Sequence, residues 1–196
     1  MKFNHHMISD YNKLLDVFID ELIPKTKVAI NNGNKIFGAF ILEKKDLTIS
    51  TIGTNNEIIN PLYHGEISAI FNFFEKKNIN PDNYYFISTH QPCSMCLSAI
   101  TWAGFDNFYY FFSYEHTKKN FKIPHDLNIL SEVFKIESGN YNHKNSYWQS
   151  FSIISEINRL KLNDLLKDKI EIIIKEYKKM SENYQKNKIN NKIPLN

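Results

Sequence analysis

Apolar and polar positions alternate along this chain in stretches that each predict one element. Between Ser9 and Leu22, the apolar residues Tyr11, Leu14, Leu15, Phe18 and Leu22 recur at the one-sided spacing of an amphipathic helix, with Ser9 or Asp10 at its N-cap. Two short apolar runs follow, Lys35 to Leu42 (KIFGAFIL) and Leu47 to Ile52 (LTISTI), and the polar turn Glu43 to Asp46 between them predicts a β-hairpin. Helical character returns over Glu66 to Lys77 and again over Ser94 to Ala103, each shortly after a proline, Pro61 and Pro92. The segments Tyr84 to Thr89 (YYFIST) and Asn107 to Ser113 (NFYYFFS) are apolar almost without interruption, the pattern of strands covered on both faces. A short helix is predicted over Asn128 to Phe134. A long one spans Asn163 to Tyr184, with Leu165, Leu166, Ile170, Ile173, Ile174 and Tyr177 as its apolar stripe. The stretch from Gln185 onward is polar and reads as a loose tail. A hairpin followed by helix, strand, helix and strand gives a mixed sheet held between helices.

The starts of the two central helices carry the chemistry. His64-Gly65-Glu66 stands at one and Pro92-Cys93-Ser94-Met95-Cys96 at the other, together offering three zinc ligands, a carboxylate beside them and no fourth protein ligand. A structural zinc is normally closed by four Cys or His side chains, whereas a catalytic zinc keeps one position for water. Cys93 and Cys96 are three residues apart, so both sulfurs fall on one side of the first turn, where the positive helix end favours thiolate. The chain has 2 cysteines, both in this motif, so no disulfide competes for them. A redox C-x-x-C would need neither His64 nor Glu66. The expectation is one Zn2+ per chain on His64, Cys93 and Cys96, with Glu66 carrying protons. His90, His116, His125 and His143 lack metal spacing, and His5 and His6 lie by the terminus, so all six stay outside the site.

At 196 residues, 42% hydrophobic and 14% aromatic, the chain can bury one good core. That predicts a catalytic domain over residues 1–160 and a C-terminal helical extension with its tail over residues 161–196. A net charge of +3 and a single arginine, Arg159, argue against a nucleic-acid partner, because arginine is the preferred phosphate reader. The N-terminal segment lacks the apolar core of a signal peptide, and no stretch approaches the roughly 18 apolar residues of a membrane helix. The expected location is the cytoplasm.

An H-x-E motif followed by P-C-x-x-C is the signature of zinc deaminases that act on nucleobases. From about Lys35 to Leu127 the chain resembles the cytidine deaminase-like superfamily, and the run PCSMCLSAITWAGF is similar to its bacterial guanine deaminase branch. Trp102 keeps its place in that run. Glu115-His116-Thr117 with the later Asp126 also resembles the branch, whose matching aspartate reads the purine edge, and Asn55 resembles an asparagine that binds the ring. The resemblance implies a three-layer α/β/α sandwich with a central mixed five-stranded sheet, and a homodimer. It implies hydrolytic deamination of a free nucleobase, guanine first, releasing xanthine and ammonia, with a small-molecule substrate as the partner. A cytidine or deoxycytidylate type of nucleoside or nucleotide deaminase and a tRNA adenosine deaminase are the alternatives. A zinc-stabilised scaffold without catalysis is a third class, and the intact Glu66 argues against it.

Bland readings stand beside these assignments. Asp126 equally suits a helix N-cap before Leu127, and Asn55 a turn residue after Gly53. Trp102, Phe105, Tyr114 and Phe121 offer stacking faces or plain core packing. The chain also departs from the family: Gly65 stands where alanine is common, Gln91 replaces the usual glutamate before the proline, and the loop from Asn55 to His64 is shorter. It also runs on past the point where small guanine deaminases close their pocket, with Tyr147 and Trp148 as candidates for that role.

Overall fold

The computed structural model describes residues 10–196, so the proposed Ser9 cap and the histidines His5 and His6 lie outside the described residues. Asp10 does cap the first helix, its carboxylate accepting from the Lys13 amide at 2.9 Å. Helix α1 (Tyr11–Asp16) passes through a π-helical stretch, Val17–Leu22, directly into α2 (Ile23–Asn31). The helix therefore runs well past the expected end at Leu22. Pro24 sits in the first turn of α2, where its missing amide costs least, and the π stretch before it loosens the ladder to admit the ring.

Strands β1 (Gly38–Glu43) and β2 (Ile49–Thr54) form the expected antiparallel hairpin, with Gly38 opposite Thr54 and a register slip at Ile41/Leu42. Leu47, expected to open the second strand, is instead a left-handed turn residue with φ 59°, its side chain buried. The chain continues as α3 (Gly65–Phe74), β3 (Tyr84–His90), α4 (Ser94–Trp102) and β4 (Asn107–Phe112). Then come α5 (Tyr114–His116), a π-helical turn at Thr117–Phe121, α6 (His125–Glu132), β5 (Gln149–Ser152), α7 (Ile153–Arg159) and α8 (Asn163–Asn187).

The sheet order is β2-β1-β3-β4-β5; β1 is antiparallel to both neighbours, and β3, β4 and β5 run parallel. This is a three-layer α/β/α sandwich around a mixed five-stranded sheet. Side chains alternate between its faces as the strand period requires. Phe40, Leu42, Tyr85, Ile87, Tyr109 and Phe111 join Leu14, Phe18, Ile157, Ile173 and Tyr177 of α1, the π stretch, α7 and α8. Ala39, Ile41, Phe86, Phe108 and Tyr110 face the other way, onto Ala69 and Phe73 of α3 and Ile100 of α4.

The last helix buries Leu166, Ile173, Tyr177, Met180 and Tyr184, whereas Leu165, expected on the stripe, is exposed. The segment after Gln185 is not loose: Ile193 is buried, and Asn191 donates to the Gly33 carbonyl at 2.6 Å. Among the described residues no helix is long and apolar enough to cross a membrane.

Helix α3 lies unusually close to the hairpin. A Cβ on Gly53 would fall 2.3 Å from the Ala69 amide nitrogen and 2.4 Å from the Gly65 carbonyl, and one on Gly65 would fall 2.5 Å from Gly38 Cα. These neighbours are backbone and cannot swing away, which accounts for glycine at position 65. Asn72 and Lys76 of the same helix region donate to the Ile52 and Ser50 carbonyls at 3.1 and 2.7 Å, covering carbonyls of edge strand β2. Gly53→Ala is expected to destabilise the fold by about 2 kcal/mol or more, by forcing helix and strand apart. A thermal melt of the variant matching the unaltered chain would refute that contact.

Candidate metal centre

Two helix beginnings meet above the ends of β2 and β3. His64 is the N-cap of α3 and Cys93 the N-cap of α4, both with extended backbone, and Cys96 lies in the first turn of α4. His64 Nδ1 is 3.6 Å from Cys93 Sγ and 3.7 Å from Cys96 Sγ. All three ligand atoms lie within 4.8 Å of one another. With zinc–sulfur bonds of about 2.3 Å and a zinc–nitrogen bond of about 2.0 Å at tetrahedral angles, the expected N···S separation is about 3.5 Å. The cluster therefore fits a tetrahedral zinc bound through Nδ1 and two sulfurs, with the fourth position left to a non-protein ligand.

Glu66 is one residue inside α3 and almost fully buried. Ser88 Oγ, on the helix-facing side of β3, donates to Glu66 Oε1 at 2.7 Å, and Oε2 lies 3.4 Å from Cys96 Sγ. Burial and the Cys93 charge raise its carboxyl above the usual range, while the Ser88 hydroxyl and His64 oppose them. A hydrogen bond from Cys96 holds Cys93 well below the ordinary thiol range against its burial, with His64 assisting, whereas burial pushes Cys96 well up. Burial pulls His64 down, but the hydrogen bond and charge of Cys93, with Glu66 and Glu57, carry it up to about 9. Zinc thus competes with protons for all three ligands, and its own charge favours the second thiolate.

Asp126 lies in the first turn of α6, a helix that begins at His125, so its side chain is not the cap. Burial and the Cys93 charge raise its carboxyl to about 8, with Glu66 adding to the rise and His64 and Lys35 opposing it. Helix α6 packs against α4, the helix that carries the two cysteines.

Asn55 is buried, and its side chain is engaged: Oδ1 accepts from the Gly65 amide at 2.6 Å and Nδ2 donates to Glu57 Oε2 at 2.8 Å. It thereby satisfies an open amide at the start of α3 and has one N–H still to offer. Trp102 is not gathered with the others. It ends α4, at the opposite end from Cys93, and is 90% exposed.

The other aromatic candidates are packing residues. Phe105 and Phe121 are buried in opposite core layers, and the Tyr114 hydroxyl is spent on the Pro92 carbonyl. Trp148 is buried, with Nε1 donating to Thr101 Oγ1 at 2.7 Å, while Tyr147 is exposed. Gln91 is committed at both ends of its amide. Oε1 accepts from the Tyr114 amide at 3.2 Å, and Nε2 donates to the Tyr141 hydroxyl at 3.1 Å. His90 is walled in by Phe37, Phe112, Phe121 and Tyr177, and burial drives its pKa well down.

Sequence reasoning missed Ser88 and the buried pair Lys35–Glu57, whose Nζ and Oε1 are 2.8 Å apart. Ser88 carries a signal in retrospect, being the polar position on the helix-facing register of an apolar strand. Glu57 sits in an irregular loop and carries none.

The sequence matches the family model described as the cytidine and deoxycytidylate deaminase zinc-binding region over residues 14–112, half of the chain. The chain belongs to that family, and it is a zinc-dependent hydrolytic deaminase. Comparison with curated protein sequences finds no match. Solved structures of similar fold include guanine deaminase from Nitrosomonas europaea, at 14% identity and TM-score 0.51, with 82% of each chain covered. Guanine deaminase from Bacillus subtilis aligns at 19% identity and TM-score 0.50, over 74% of this chain and 90% of that one. NE0047 in complex with 2,6-diaminopurine aligns at 13% identity and TM-score 0.52, over 84% and 82%.

Zinc is expected to raise the melting temperature, with stability growing as the logarithm of free metal and gaining about 4 kcal/mol at a thousandfold excess over Kd. Cys96→Ser should abolish most of that gain. Melting that ignores both zinc and chelator would show that the three side chains do not bind the ion.

Proposed function

We propose that this deaminase acts on a free nucleobase or closely related aminated heterocycle, guanine above all, releasing xanthine and ammonia. What carries this reading is Asp126: a carboxyl in the first turn of α6, the helix that packs against the cysteine-bearing α4, which when ionised suits the adjacent N–H donors on guanine's edge. A pyrimidine offers fewer such donors. The similarity in fold to proteins described as guanine deaminases agrees with a purine, and the small net charge agrees with a small-molecule substrate rather than a nucleic acid.

When bound to His64, Cys93 and Cys96, zinc supplies a water acidified to near neutrality. Glu66 would accept a proton from that water and pass it to a ring nitrogen, then take the proton of the hydroxyl added to the ring carbon and give it to the amine as the C–N bond breaks. Its burial and raised pKa suit a group that must hold a proton as readily as release it. Ser88 holds one carboxylate oxygen so that the other faces the reacting centre. The remaining N–H of Asn55 offers a donor in the plane of the base. Amides at the starts of α3 and α4, Glu66 in the first turn of one and Cys93 at the N-cap of the other, favour the negative charge that develops on the ring.

Residues 1–160 form the deaminase domain and residues 161–196 an extension docked on it through α8. The working unit is a cytoplasmic homodimer. Phe71, Phe74 and Trp102, exposed on α3 and α4, are the apolar surface that a second copy would cover.

Ammonia release from a panel of guanine, adenine, cytosine, their nucleosides and aminated triazines tests the substrate; turnover of cytosine compounds alone would overturn the purine reading. Glu66→Gln should keep fold and zinc yet lose at least about a hundredfold in rate, and full activity in that variant would remove Glu66 as proton carrier. Asp126→Ala should raise KM for guanine roughly ten- to hundredfold by leaving ring donors unpaired, with a much smaller effect on any cytosine compound turned over. Equal effects on both would discount Asp126 as the reader of the purine edge.

A further inference from the structure

We infer that Glu57 is a positioning residue for the metal centre, orienting the His64 imidazole from behind through its Nε2–H. Glu57 lies in the loop between β2 and α3 and is 3% exposed. Its Oε1 faces two groups, Lys35 Nζ at 2.8 Å and His64 Nε2 at 3.7 Å. Its Oε2 accepts from Asn55 Nδ2 at 2.8 Å and more weakly from the Lys35 amide at 3.4 Å. A carboxylate buried this deeply persists only when paired and hydrogen-bonded, and Lys35, itself buried, provides the opposite charge.

The geometry fixes the tautomer of His64. Nδ1 is the nitrogen 3.6 and 3.7 Å from the two sulfurs, so it must present its lone pair to the metal, and the ring proton sits on Nε2, the atom that faces Glu57. At 3.7 Å the contact is electrostatic attraction rather than a tight hydrogen bond. A negative charge there selects the proton-on-Nε2 form, holds the ring plane and makes Nδ1 a stronger donor. Partners behind a metal-bound histidine typically change affinity by 10- to 100-fold when removed. Lys35 and Asn55 act one step further back, fixing the carboxylate between them, and Asn55 ties the same unit to the Gly65 amide.

The inference rests on the zinc reading of the site and not on which base is deaminated, so its test measures metal. Zinc affinity of Glu57→Gln, determined by chelator competition, should be weaker than that of the unaltered chain by about 10- to 100-fold, with the metal-free proteins keeping similar folds. Lys35→Met, which leaves the carboxylate facing His64, should weaken zinc less than Glu57→Gln does. Nitrogen-15 spectra of the unaltered zinc-loaded protein should show His64 protonated at Nε2 and metal-bound at Nδ1, a readout that needs no variant to fold. Unaltered zinc affinity in Glu57→Gln, with only the metal-free melting temperature lowered, would make Glu57 a loop anchor and overturn the inference alone. Coordination through Nε2 would overturn it as well. An unaltered chain that binds no zinc would take the metal reading down together with it.

Discussion

The distance at which α3 can rest on the β1–β2 hairpin governs the rest of this molecule. His64 and Glu66 belong to the first residues of that helix, and Cys93 and Cys96 to the first residues of α4, so the two sets meet only if both helices sit at the right height above one sheet. Glycines at positions 38, 53 and 65 let backbone touch backbone on the α3 side. Asn55, closing the hairpin, then binds the Gly65 amide and fixes the helix in rotation as well as in height. With both helix starts at this height, the three ligand atoms stand within 4.8 Å of one another, at separations that suit a tetrahedral ion.

Charge is distributed around the cluster to the same end. Three carboxyls, Glu57, Glu66 and Asp126, surround a site whose protein ligands bring two sulfurs and one imidazole, and each carboxyl is handled differently. Glu57 is paired with the Lys35 ammonium, 2.8 Å from its Oε1. Glu66 has a hydroxyl donor on one oxygen only and a raised pKa, the condition of a group that exchanges protons. Asp126 has a carboxyl raised to about 8 by burial and by the Cys93 charge. A divalent cation at the ligands acts in the opposite sense and draws Asp126 back toward its ionised form. Metal occupancy and the charge on the residue proposed to read the base are therefore coupled.

Much of this was legible in the sequence. The ligand triad and Glu66 came from spacing and residue type, and the structure gathers them at one point. Four of the five strands were legible because their apolar runs are continuous or bounded by turns. β5 was not, since Gln149–Ser152 is short and mostly polar and becomes a strand only by pairing with β4. The first helix was bounded at Leu22, where its apolar spacing was last counted; it runs on to Asn31 through a π stretch that has no local signature. The tail after Gln185 read as loose because its polar residues dominate, yet a few of them, such as Asn191, find backbone partners far away in sequence. Trp102 was assigned by resemblance alone, although the helix predicted over Ser94 to Ala103 already sets it at the end far from Cys93, where the structure finds it exposed.

Gln91 bears on how the polar groups beside the site point their hydrogens. Its amide nitrogen donates to the Tyr141 hydroxyl at 3.1 Å, which leaves that hydroxyl its own proton to give elsewhere, and nearby Ser150 Oγ lies 2.7 Å from His143 Nδ1. A carboxylate in place of the amide could only accept, from Tyr141 as well as from the Tyr114 amide, so the residue at this one position decides which way the bond to Tyr141 runs.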